Sequence, residues 1–146
     1  MDYFLGGYNC SQATAGAFAE QLGIEPDAVF AMMAGFGGGR GGLRETCGAV
    51  SAMTFVAGLA CGRHQPDDRT AKKALYDMVK AMDAAFVALH GTTCCRELLR
   101  KASCEPKPDP ALRTDEYYST RPCARFVQSA ARIIEAHLDA ERRDAR

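Results

Sequence analysis

Seven cysteines are spread over 146 residues, at positions 10, 47, 61, 94, 95, 104 and 123. The number is odd, and the chain is large enough to fold without a disulfide framework. In a reducing compartment such thiols point to redox or metal chemistry before structural bridges. Cys10, Cys47, the Cys94–Cys95 pair and Cys123 fall behind polar cap residues in the first turns of predicted helices. Unpaired N–H groups and the positive end of the helix dipole favour negative charge there, and lower a thiol pKa from about 8.5 toward neutrality. Cys61 falls at a helix end and Cys104 in a proline-rich loop. The plain alternative for any one of the seven is a small apolar core residue.

The elements that must position these thiols read as helices. Asn9 with Gln12 three residues later forms a capping signature, and Cys10, Ala13, Ala17, Phe18 and Leu22 recur at helical spacing until Gly23. This predicts a first helix over 10–22. Pro26 opens a shorter second helix, which the glycines at 35–39 must stop. From Cys47 to Cys61 no residue is charged, so a central helix begins behind Thr46 as N-cap, apolar on every side and surrounded by protein. Between Asp67 and His90, residues Ala71, Ala74, Leu75, Met78, Val79, Met82, Ala85, Phe86 and Leu89 form one stripe, and Gly91 closes the helix. Thr92 and Thr93 cap a short helix over 94–101, and Pro106, Pro108 and Pro110 break the chain into a surface loop. A last helix starts at Thr120 and Pro122, with Cys123, Phe126, Val127, Ala130, Ile134 and Leu138 on one face, before the tail ERRDAR frays. No stretch alternates with period two for long enough to be a strand. The expectation is an all-α single domain over 1–146, a bundle of about five or six helices around the segment 47–61.

Composition excludes several classes. Eighteen basic residues balance 18 acidic ones, so no net field recruits nucleic acid. The longest uncharged apolar run is about 15 residues, short of the roughly 20 that cross a bilayer, and Met1-Asp2-Tyr3 is unlike a signal peptide. A cytoplasmic protein is expected, without nucleic-acid binding or membrane insertion.

Other motifs carry less. G-G-G-R-G-G at 37–42 satisfies G-x-G-x-x-G but lies in no βαβ unit, so it reads as a loop needing positive φ and close backbone approach to the central helix. No C-x-x-C occurs, which removes thioredoxin-type and zinc-ribbon spacings and leaves only an atypical zinc site from dispersed helices. His64, His90 and His137 read as cap or surface residues. His90 alone lies near enough to Cys94 and Cys95 in sequence to be a thiol-activating base. Arg40, Arg44 and Arg96 are candidates to neutralise thiolates.

The segments Y-N-C-S-Q-A at 8–13, T-C-G-A-V at 46–50 behind the glycine loop, H-G-T-T-C-C-R-E-L at 90–98 and P-C-A at 122–124 together resemble the redox-active protein family named for its pattern C_GCAxxG_C_C. The resemblance covers nearly the whole chain. By motif the family's four cysteines fall on Cys10, Cys47, Cys95 and Cys123, with Cys94 taking the third place if its helix starts one residue earlier. The family name writes glycine before the second cysteine, where this chain has Thr46. The same kind of domain resembles part of the split-Soret cytochromes, which implies an iron–sulfur cluster held by those four cysteines as an alternative. Haem is excluded, since no C-x-x-C-H occurs. The leading expectation is thiol–disulfide exchange among the four thiols with a redox partner that the motifs leave unassigned. The rivals are a four-cysteine iron–sulfur electron-transfer or sensing protein and a non-catalytic helical interaction module.

Overall fold

The computed structural model describes residues 1–144, and among them there is no strand. Eight right-handed helices follow one another: α1 Asp2–Leu5, α2 Cys10–Gly16, α3 Pro26–Met33, α4 Gly48–Cys61, α5 Arg69–His90, α6 Cys95–Lys101, α7 Asp115–Thr120 and α8 Cys123–Asp144. The all-α bundle expected from periodicity is the observed one. Helix α4 packs against α2, α5 and α8, and Val50, Met53, Val56 and Ala57 join Met82 and Phe86 of α5 and Ala130 and Ile134 of α8 in the main core.

The first predicted helix is shorter than expected. It ends at Gly16, where a Cβ would lie 2.5 Å from the Phe30 ring, and the chain turns before the 3-10 turn Glu20–Leu22 and the left-handed Gly23. The capping box at its start is formed, with Asn9 Oδ1 accepting from the backbone N–H groups of Ser11 and Gln12 and Gln12 Oε1 accepting from Asn9 N. The same residues then serve a second helix end. Gln12 Nε2 donates to the Phe30 carbonyl (2.9 Å), Ser11 Oγ to Met33 (2.7 Å) and Asn9 Nδ2 to Ala34 (2.9 Å). The start of α2 thereby satisfies carbonyls that the end of α3 leaves unpaired, and Ser11 is fully buried in doing so.

Helix α4 is not enclosed on every side. Thr54 and Ala60 are exposed, and Ser51, Phe55, Gly58 and Cys61 are half-buried. Ser51, Thr54, Gly58 and Cys61 share one stripe at helical spacing, and hydroxyls and a glycine tolerate water where Val and Met would not. On α5 the stripe holds at Met78, Met82 and Phe86, but Leu89 at its end is 63% exposed. Helix α8 starts at Cys123 and not at Thr120, because α7 precedes it, capped by Thr114 Oγ1 accepting from Tyr117 N. The tail expected to fray continues α8 through Asp144, and its last two residues lie outside the described ones.

The glycine segment connects α3 to α4. Gly38 (φ 63°, ψ 30°), Gly39 (φ 67°, ψ 50°), Arg40 (φ 68°) and Gly41 (φ 58°, ψ 33°) form a hydrogen-bonded turn of left-handed helix. L-residues pay about 1–2 kcal/mol each for that conformation, which is why the segment is glycine at all but one of these positions. The expected need for positive φ is met. The close approach is met at Gly39, where a Cβ would lie 2.7 Å from Cys95 Cβ.

Candidate functional site

Three chain starts meet beside the glycine turn. Cys10 is the first residue of α2 behind Asn9, Cys95 the first residue of α6 behind Cys94, and Cys123 the first residue of α8. Cys47 does not sit in the first turn behind Thr46 as expected. It is itself the N-cap of α4, while Thr46 is drawn into an antiparallel bridge with Cys94. That bridge holds two cysteine-bearing helix starts together: Cys47 N donates to Thr93 O (2.8 Å), Cys95 N to Glu45 O (2.6 Å) and Arg96 N to Arg44 O (3.1 Å).

Cys10, Cys47, Cys95 and Cys123 line one cavity of about 50 Å³. Cys61 and Cys104 do not. Cys61 borders a surface depression beside Leu138 and Glu141, and Cys104 Sγ is directed to the carbonyls of Ala102 and Thr120. Cys94 also stays outside the cavity, its thiol turned to the Arg44 carbonyl. All seven cysteines are free thiols. A Cβ at Gly48 would lie 2.5 Å from Cys10 Sγ, so the glycine after Cys47 is what lets the two thiol-bearing starts close on each other.

The four thiols are electrostatically unequal. Cys10 is lowered to about 6, chiefly by a hydrogen bond from the Cys47 thiol and further by backbone N–H groups of Gly38, Ser11 and Gly48, against the cost of burial. Cys47 is raised well above its ordinary value because its proton is held by Cys10 and because it is buried. Burial also raises Cys95, a shift that the neighbouring Arg44 reduces, and it pushes Cys123 up to about 12. First-turn placement does not lower all four thiols as expected. Desolvation outweighs the helix ends, and the Cys95 and Arg96 N–H groups already donate to Glu45 and Arg44 carbonyls. The site is one thiolate among three thiols.

Of the candidate cations only Arg44 reaches the cavity, with Nη1 3.8 Å from Cys95 Sγ and Nε donating to Lys107 O (2.7 Å). Arg40 pairs with Glu45, and Arg96 donates to Leu43 O; both are exposed. Arg113 and Arg121, which the sequence reading passed over, line the cavity instead, with Tyr117 and Phe4. The Arg121-Pro122-Cys123 spacing was the available signal. His90 is no partner for Cys94 or Cys95: its Nε2 lies 2.9 Å from Ser129 Oγ, and its ring packs on Phe86 and Phe126. His137 Nδ1 lies 2.8 Å from Ile133 O, one turn back along α8, and His64 is in the loop after α4, its Nδ1 3.0 Å from Gln65 O.

The four thiols match an iron–sulfur centre in donor type. The space is that of about two to four waters. Among the described residues no three His, Cys, Asp or Glu side chains converge to hold a metal ion.

Fold and site together define an all-α protein with four cysteines around one cavity. The chain belongs to the family described as "Putative redox-active protein (C_GCAxxG_C_C)", whose model matches residues 8–137. No curated protein and no solved structure matches it. Among the described residues no helix is long and apolar enough to cross a membrane.

Proposed function

We propose that Cys10 and Cys47 are a dithiol pair that exchanges two electrons with a partner disulfide. The observation that carries this reading is the closeness of Cys10 and Cys47 on one cavity, which Gly48 permits and which lowers the Cys10 pKa and raises that of Cys47. A nucleophile ionised near neutrality beside a thiol that keeps its proton is the division of labour that exchange requires. Cys10 S⁻ attacks one sulfur of the partner disulfide, and the other sulfur leaves as thiolate. Cys47 gives its proton to that thiolate and attacks the Cys10 sulfur, which releases the second partner thiolate. The protein gains a Cys10–Cys47 disulfide and the partner gains two electrons. Half-buried Cys10 is the reachable member, whereas Cys47 is 4% exposed. Cys95 and Cys123 stand by as protonated thiols on the same cavity.

A second reading rests on the donor type of the four thiols, which line one cavity together with Arg44, Arg113 and Arg121. Cys10, Cys47, Cys95 and Cys123 would hold an iron–sulfur cluster, and the arginines would offset its negative charge. When bound, such a centre supplies one-electron transfer.

One preparation separates the two. Protein purified anaerobically is assayed for iron and sulfide, then treated with a mild disulfide and mapped by mass spectrometry. The dithiol reading expects no stoichiometric iron and a Cys10–Cys47 bridge reversed by reductant. Stoichiometric iron and sulfide overturn it in favour of the cluster. Metal-free protein whose four thiols stay reduced overturns both and leaves an interaction module.

A further inference from the structure

A second pocket, of about 320 Å³, borders the thiol cavity and shares with it Asn9, Gly38, Arg44, Arg113, Tyr117 and Arg121. Its far wall is the proline loop. Gly42 lies so close to it that a Cβ would meet Pro108 O at 2.2 Å, and Arg44 Nε ties in Lys107 O. No aspartate or glutamate lines either space.

The three arginines carry more charge than the protein answers. None of them has a carboxylate within salt-bridge distance among the described residues. Arg113 and Arg121 both stack on Tyr117, their guanidinium carbons 4.5 and 5.1 Å from its ring centre. Arg113 Nη2 donates to Tyr8 O (3.3 Å), but Nη1 is buried with no hydrogen-bond partner. A buried guanidinium N–H left unpaired is costly, and two like charges on one ring add to the cost.

We propose that this vestibule is the docking site for the carboxylates of an anionic small disulfide, held so that its sulfur–sulfur bond reaches Cys10. The inference rests on the dithiol reading and adds the substrate class to it. The planar forks of Arg113 and Arg121 suit carboxylates, and a disulfide carrying two of them meets the uncompensated charge. Exchange proceeds as above: the docked disulfide takes two electrons from Cys10 and Cys47 and one proton from Cys47, and leaves as a thiol and a thiolate, each bearing a carboxylate.

The test compares exchange rates of the reduced protein with three probes, dithiodiglycolate (anionic), hydroxyethyl disulfide (neutral) and cystamine (cationic). The wild type is run beside Arg121→Gln and Arg121→Lys. Arg121→Gln is expected to slow the anionic probe about tenfold, as loss of one charge-assisted contact predicts. It should slow the neutral probe far less than the anionic one and the cationic probe least of all, with Arg121→Lys intermediate. High salt should compress the wild-type preference for the anion. Equal effects of Arg121→Gln on all three probes overturn the proposal. A binding measurement keeps the two readings apart: S-methylglutathione, which has no free thiol, is titrated into reduced protein and followed by NMR shifts of the arginine Nε–H groups. Exchange with no charge preference and no binding removes the vestibule but leaves the dithiol. Binding without exchange removes the dithiol and, with it, the substrate assigned here.

Discussion

Helix α4 carries a cysteine at each end, and the two ends are built on opposite terms. At its start Cys47 is 4% exposed, shares a cavity with Cys10 and is followed by Gly48, which has no room for a methyl group. At its end Cys61 is half-buried beside Glu141, and burial with that carboxylate raises its pKa. Gly58, one turn before that end, has nothing within 4 Å of where a Cβ would stand. The difference teaches that a helix start becomes a reactive site only when other elements converge on it. The residue type is the same; the neighbours decide the chemistry.

The widest separation between the ends should appear in stability. Gly48→Ala places a methyl group 2.5 Å from Cys10 Sγ and 2.9 Å from Phe36 O and should cost about 2–3 kcal/mol in urea unfolding. Gly58→Ala should gain about 0.5–1 kcal/mol from helix propensity. Equal effects would erase the contrast.

Thiol reactivity comes next. Cys10, lowered to about 6, is mostly thiolate at neutral pH and loses that form as pH falls through 6, while Cys61 stays protonated. Iodoacetamide at pH 7 should therefore label Cys10 at least tenfold faster than Cys61, a margin tempered by the weaker nucleophilicity of a low-pKa thiolate. Cys47→Ala removes the largest cause of the lowering and should move the Cys10 midpoint upward. Peptide mapping after timed quenching gives both numbers.

A smaller effect is expected in the pH profile of stability under reductant. The folded state favours the Cys10 thiolate, so that contribution grows between about pH 6 and the ordinary thiol range and is lost on acidification through 6. Cys47, Cys95 and Cys123 are raised, so their contribution is present below the ordinary thiol range and is lost as pH rises through it. Urea midpoints at pH 5, 8 and 10 should peak at 8, and a profile flat between 8 and 10 would contradict the burial of those thiols. Smallest of all, His90→Gln should leave Cys10 and Cys95 labelling unchanged, because the ring faces Ser129 and Phe126.

Much of this was legible in the chain. Helical spacing gave α3, α4 and α5 nearly to their ends, and the Asn9–Gln12 capping box was readable because its chemistry is local. Helix starts singled out Cys10, Cys47, the Cys94–Cys95 pair and Cys123, and only the family motif narrowed the pair to Cys95. What the chain hid was long-range. The stop at Gly16 depends on the Phe30 ring, and α7 was masked by the prolines before it. Arg113 and Arg121 enter the site only because α1 and α7 bring Phe4 and Tyr117 beneath them. The unequal thiol pKa values follow from the pairing of Cys10 with Cys47 and from burial, neither of which a spacing rule supplies.

The left-handed turn at Gly38–Gly41 is a short piece of mirror-image protein inside an ordinary chain. The ribosome supplies only L-residues and achiral glycine, so the chain can write this turn only with the residue that is loosest when unfolded, and ordering it draws on more backbone entropy than any other residue would. A chemist joining synthetic segments is not bound by that alphabet. D-alanine prefers the very φ and ψ that Gly41 adopts (58° and 33°), and placed there it should stiffen the unfolded chain toward the native turn, by the same logic that makes glycine-to-alanine changes stabilising at compatible sites.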